Sequence, residues 1–263
     1  MPNCTTALKN SVTLQPKRPI LFSRLGVFLL LIGMVVTFFM SQLVGIYIAG
    51  KLLLPGADKL SVGNIFFFGS SNGTVVSASI IISGGLLTAV SLLIIRLKGG
   101  NFRQYLALTP FSLAVGGGIL GLLLVFMIGS QALTYLLDKS PLVFVDPLYQ
   151  SVSSVWLLVF AMVIVAPLYE ELIFRGILWS AIAEQFSGSS YLGQSGAMIA
   201  SIITSFVFAA IHLQYGLYEI STIVVLALIF CYARIKSGSL VLPMLLHIIN
   251  NAVAMGQYLL QVV

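Results

Sequence analysis

Glu170-Glu171-Leu172-Ile173-Phe174-Arg175-Gly176 sets two adjacent carboxylates and an arginine inside an apolar run that extends from Val152 to about Ile182. Without those charges the run would read as an ordinary membrane helix. Ionisable side chains at membrane depth are rare, face inward and mark functional sites. On a helix Glu171 and Arg175 are four apart, on one face and in the favourable acid-before-base order. Glu170 lies about 100° around the helix and shares its face with Phe174. One carboxylate is then neutralised by the arginine while the other is left for chemistry. The alternative is an ion pair that only locks helices together.

Composition fixes the class. Of 263 residues, 59% are hydrophobic and 8% are charged. Soluble domains carry roughly 25% charged residues. The pattern predicts an all-α, polytopic transmembrane bundle. The net charge of +6 resides in short loops between apolar runs, which is a mark of topology and not a nucleic-acid footprint. The expected surroundings are a lipid bilayer, with no nucleic acid partner. Cys4 lies in an N-terminal tail and Cys231 in a span, so neither a disulfide framework nor a thiolate metal site is supported.

Taken in order, residues 1–22 read as a flexible cytoplasmic tail. The first apolar run extends from Leu25 to about Ala49. It is too long for a signal-peptide core of roughly 7–15 residues and reads as an uncleaved span. Ile65 to Phe68 is apolar but short. It reads as an interfacial dip, since a span takes about 20 residues. Further spans are predicted at Thr74–Ile95, Phe111–Leu137, Val152–Ile182, Gly196–Leu213, Leu217–Tyr232 and Leu240–Leu260, about seven in all. Gly116, Gly117, Gly118 and Gly121 suggest close helix approach in the third. The division expected is a tail (1–22), N-terminal membrane helices (23–150) and a catalytic membrane core (151–263) in the last four spans. Arg96, Lys98, Arg103, Arg234 and Lys236 fall in alternate loops, which predicts a cytoplasmic N-terminus. No internal repeat is evident, which weakens a transporter reading.

Both histidines fall in apolar segments of the core. His247 and Asn251 are four apart on one helical face, with Asn250 beside them, and His212 follows Phe208 by four. Unpaired polar groups in hydrocarbon are costly, so a single polar cavity gathering them is the favourable arrangement. A glutamate held against a histidine can act as general base toward water. A second histidine and an asparagine amide can donate to an oxyanion on a peptide carbonyl. Two histidines and a glutamate can also hold zinc with an open position, although no H-E-x-x-H pair is present. Ser201, Ser205 and Ser221 lie in no nucleophile-elbow sequence and read as ordinary helix residues.

Glu170-Glu171-x-x-Phe174-Arg175-Gly176, Phe208-x-x-x-His212, and His247-x-x-x-Asn251 preceded by Gly238-Ser239-Leu240 and Pro243 resemble the three motifs of the CAAX protease and bacteriocin-processing family. Those intramembrane glutamic endopeptidases include the type II CAAX prenyl proteases and bacterial Abi relatives. The resemblance spans about Ala166 to Ala254. It implies that Glu170 activates water with His212 as partner, that Glu171 and Arg175 support it, and that His247 and Asn251 form the oxyanion hole. Phe208 would shape the pocket. No cofactor is implied, and zinc stays as the alternative. The substrate implied is a membrane-associated peptide or protein, in a bacterial plasma membrane. A non-enzymatic immunity or scaffold protein that binds a bacteriocin-like peptide is the reading from another class. Straight spans would leave His212 on the order of 15 Å from Glu170 and His247, at a rise of about 1.5 Å per residue. A kink at Pro167 or a tilt of its helix would be needed to bring them together.

Overall fold

A computed structural model of the chain describes residues 20–139, 143–186 and 190–262. Most of the expected tail, with Cys4, lies outside the described residues. The described residues form α1 (Arg24–Leu53), α2 (Val62–Gly69), α3 (Gly73–Leu97), α4 (Phe102–Tyr105), α5 (Leu113–Leu136), α6 (Asp146–Ser151), α7 (Val155–Glu184), α8 (Ser190–Ala210), α9 (Leu217–Ser237) and α10 (Val241–Val262). No strand occurs among them. The protein is an all-α helical bundle, as composition requires.

Local sequence fixes the helix starts. Ser23, Ser61, Asn72 and Asn101 stand just before α1, α2, α3 and α4. Each side chain accepts a backbone N–H that the first turn would leave unpaired. At the far end of α9, Gly238 takes φ 65°. This left-handed conformation is one that glycine tolerates, and the chain turns directly into α10.

Five helices, α1, α3, α5, α7 and α9, are long and apolar enough to cross a membrane. The other two counted as spans differ in kind. α8 qualifies only as a shorter apolar helix over Ser195–Ala210, and α10 carries His247, Asn250, Asn251 and Gln257 on its length. The outward faces are apolar: Phe28, Leu29 and Val36 on α1 and Val125 and Ile128 on α5 are exposed, as suits contact with lipid.

Hydrogen bonds near the helix ends tie the two ends of the bundle. At one end Gly73 N donates to Ser151 Oγ, Thr134 Oγ1 pairs with Tyr218 Oη, and Tyr258 Oη donates to Asp146 Oδ1. At the other, Leu21 N donates to Glu184 Oε2, Tyr105 Oη to Glu184 Oε1, and Leu240 N to the Ala107 carbonyl. Glu170 falls midway between these ends.

The core crosses the boundary drawn at residue 150. Phe38 of α1 sets its ring 6.3 Å from Tyr169 and 6.4 Å from Phe174. The N-terminal helices therefore buttress α7 directly. Close approach is achieved at Gly84, where a Cβ would stand 2.8 Å from Tyr169 Cδ1, and at Gly45, where it would stand 2.7 Å from the Ser79 carbonyl oxygen. This corrects the expectation for α5: Gly117, Gly118 and Gly121 face open space, and only Gly116 is packed, against Phe111.

Two charged or polar residues sit elsewhere than the sequence suggested. α8 ends at Ala210, so His212 lies in the turn beyond it and not inside a helix. Arg234 is buried within α9 and is not a loop charge. Its Nε donates to the Arg175 carbonyl at 3.3 Å, and its guanidinium stands 5.1 Å from the Trp179 ring centroid.

Candidate active site

Pro167 governs the backbone of α7 around the two glutamates. The segments Phe160–Val165 and Leu172–Leu178 are wound as π-helix, and the α-helical turn Ala166–Glu171 lies between them. In the first segment Ala166 N–H donates to the Ala161 carbonyl, five residues back. The next bond in that register would run from residue 167 to the Met162 carbonyl, but proline has no N–H to give. Asn251 of α10 supplies the donor instead, with Nδ2 at 3.0 Å from Met162 O. Single π turns recur at functional sites because they re-aim side chains without breaking the helix.

Glu171 and Arg175 are fully buried and paired, Nη1 to Oε1 at 2.8 Å. Their spacing of four predicts this pair. Arg175 Nη2 also donates to the Ala227 carbonyl of α9 at 3.2 Å. Its guanidinium lies over two aromatic rings, 4.6 Å from the Phe208 centroid and 5.4 Å from that of Phe230. Such faces attract a cation through the ring quadrupole. Planar aromatic faces suit an arginine and would not hold a lysine equally well.

His247 joins the two glutamates. Its Nδ1 lies 2.8 Å from Glu171 Oε1, and its Nε2 lies 3.7 Å from Glu170 Oε2. Glu171 is paired with arginine and acts as acceptor, so Nδ1 carries a proton and Nε2 is turned toward Glu170. The separation from Glu170 is too long for a direct hydrogen bond and suits a small group bridging the two. The imidazole stacks on Phe230 at 4.9 Å and meets the Phe208 ring edge-on at 5.9 Å.

His212 reaches the same cluster through Phe208. Its Nδ1 stands 2.7 Å from the Phe208 carbonyl oxygen, and the two ring centroids are 4.7 Å apart. A carbonyl only accepts, so Nδ1–H is the donor and the neutral ring keeps its lone pair on Nε2. The turn beyond α8 thus curls the imidazole back toward the bundle centre, which removes the separation that straight spans imposed. The ion-pair contact of Glu170 is with His247 and not with His212.

Glu170, Glu171, Arg175, Phe208, His212 and His247 are therefore one contiguous cluster, with Phe208 at its hub. Asn251 adjoins it and is engaged with Met162. Among the described residues no group of three or more His, Cys, Asp or Glu side chains is arranged to hold a metal ion. Cys231 is buried against Thr204 and Ser205. Sequence reasoning missed Phe230, which lacks any local signal, and Met162, whose free carbonyl follows only from π winding before a proline. It also passed over Glu184, a buried carboxylate at the end of α7 that its place in an apolar run could have flagged.

Residues 152–253 match the family model described as type II CAAX prenyl endopeptidase Rce1-like. The chain belongs to this family. The matched stretch takes in every residue of the cluster. An uncharacterized 24.3 kDa protein of Escherichia coli is 31% identical over 157 residues, which cover 56% of this chain and 67% of that one. No solved structure matches the chain. Membership of the Rce1-like family, with five helices able to cross a bilayer, makes this an integral membrane protein of a CAAX-type peptidase class.

Proposed function

We propose that the protein is an intramembrane glutamic endopeptidase that hydrolyses a peptide bond of a membrane-associated peptide or protein. The observation that carries this reading is the line Glu171–His247–Glu170: one carboxylate orients the imidazole while the other faces its far nitrogen at 3.7 Å. Arg175 offsets the charge of Glu171 in their buried pair, which makes that burial tolerable.

Glu170 takes a proton from water as the water oxygen attacks the carbonyl carbon. The oxyanion that forms is met by His247 Nε2–H and by the second amide proton of Asn251, whose first is held by Met162. The proton on Glu170 passes to the leaving nitrogen as the C–N bond breaks, giving a carboxyl and an amine. His212, with its lone pair on Nε2, orients the attacking water. No step calls for a metal ion or a covalent intermediate. The basic segments at one end support a cytoplasmic N-terminus, and the Escherichia coli relative supports a bacterial plasma membrane.

Single-turnover cleavage in oxygen-labelled water tests this chemistry. The label is expected on the new carboxyl terminus and not in Glu170, with no loss of rate under chelation. Label in Glu170 would indicate an acyl intermediate, and loss of activity restored by zinc would favour a metal site.

A further inference from the structure

Beyond the cluster, a cavity of about 550 Å³ opens between α5, α9 and α10, and neither Glu170 nor His247 lines it. It is nevertheless the next compartment. Asn250 lines it, lies one turn beyond His247 on α10, and donates to Asn251 Oδ1 at 3.2 Å. Tyr215 lines it too, and its ring centroid stands 6.1 Å from that of His212. The inner wall of this cavity is thus the outer wall of the candidate site. It lies toward the end of the bundle where Tyr258 meets Asp146, opposite the α3–α4 junction that bears Arg96, Lys98 and Arg103.

The lining is out of keeping with the rest of the chain. Gln131, Thr134, Thr222, Asn250, Gln257 and Gln261 contribute amides and hydroxyls, each able both to donate and to accept. Lipid has no use for such groups, whereas the backbone of an extended peptide offers matching N–H and C=O groups. Polar side chains inside membrane helices mark substrate paths. The charge is also uneven: Glu219 and Asp146 line the cavity against Lys139 alone. One Asp146 oxygen is already held by the Tyr258 hydroxyl. Glu219, at the start of α9, bends over Gly216, with Oε2 where a Cβ at that glycine would be crowded at 2.8 Å.

We infer that this cavity receives the polar flank of the substrate in extended form, and that Glu219 selects a flank bearing a lysine or arginine. The inference rests on the endopeptidase reading, since it takes the cavity as the continuation of that site. The peptide's apolar part would remain in the bilayer, its scissile bond would lie at Glu170, and its basic flank would leave past Asn250 and Tyr215.

Binding separates this inference from catalysis. The full chain with Glu170→Gln, in neutral phosphatidylcholine vesicles that do not themselves attract cations, is titrated with three fluorescent peptides. These share one apolar anchor and differ in a lysine-rich, serine-rich or glutamate-rich flank. The lysine flank is expected to bind about tenfold tighter than the serine flank, equal to about 1.4 kcal/mol. Adding Glu219→Gln should abolish that advantage, Glu219→Lys should transfer it to the glutamate flank, and Thr222→Trp should weaken all three by filling the cavity. Equal binding of the three flanks, no binding of any, or a lysine preference indifferent to Glu219→Gln would overturn the inference. A protein that selects the lysine flank yet never cuts a peptide keeps the inference and loses the endopeptidase reading. Cleavage without flank preference does the reverse.

Discussion

His247 Nδ1 donates to Glu171 Oε1 at 2.8 Å, the same oxygen that receives Arg175 Nη1 at 2.8 Å. One carboxylate oxygen therefore fixes both an arginine and the orientation of an imidazole. Two neighbouring glutamates with the same side chain should consequently respond differently to the same substitution. Glu171→Gln leaves a buried guanidinium without its counter-charge and should lower stability by about 3–5 kcal/mol. Glu170→Gln loses only the longer contact with His247, at 3.7 Å, and should cost less stability than Glu171→Gln. Thermal unfolding of both variants in detergent reads the difference, and equal losses would contradict the division of roles.

Asn251 and Pro167 are coupled through the Met162 carbonyl, and a double-mutant cycle can measure it. Asn251→Ala leaves that partly buried carbonyl unpaired and should destabilise by about 1–3 kcal/mol. Pro167→Ala restores a backbone N–H in the register that points at Met162 O. The double variant should therefore recover part of the stability lost in Asn251→Ala, with an interaction energy of about 0.5–3 kcal/mol. Strict additivity would show that Asn251 does not act as the substitute donor.

Arg175→Lys keeps the charge but loses the fork that reaches Glu171 and Ala227 together, and loses the planar contact with Phe208 and Phe230. The two cations are not interchangeable at such a site. The variant should fold with a lowered Tm and lose at least about tenfold in peptide cleavage, because the reacting groups are displaced. A wild-type Tm and rate in the lysine variant would mean that charge alone matters at this position.

Gly84→Leu tests the support of α7 by the N-terminal helices. A side chain there meets Tyr169 at 2.8 Å and must displace the residue that precedes Glu170. Overpacking of this kind costs about 1–3 kcal/mol. Cleavage should fall further than stability does. Gly117→Leu, facing open space, is the control and should leave both unchanged.

The all-α membrane class and the Glu171–Arg175 pair were legible because composition and a spacing of four depend on the local chain alone. The convergence of Phe208, His212 and His247 on one site was legible as a set but not as geometry. It depends on where α8 stops, and the apolar residues that continue past Ala210 give no sign of a helix end. The contact of His247 with both glutamates was not legible, since it follows from the rotation of α7 by its π-helical turns. Pro167 follows the first of those turns closely, but no local signal marks the second, at Leu172–Leu178. Arg234 shows the opposite failure: a basic residue near a helix end reads as a loop charge until Trp179 and the Arg175 carbonyl are seen to enclose it.

The central claim is that the Glu170 carboxylate activates the attacking water. Its most direct test is the rate at which wild type and Glu170→Gln, both folded in lipid vesicles, release fragments from a library of membrane-anchored peptides, followed by mass spectrometry. The account predicts discrete fragments from the wild type and a loss of at least about 100-fold in the glutamine variant, the lower range for a general base. The same fragments released at the same rate by Glu170→Gln would contradict it.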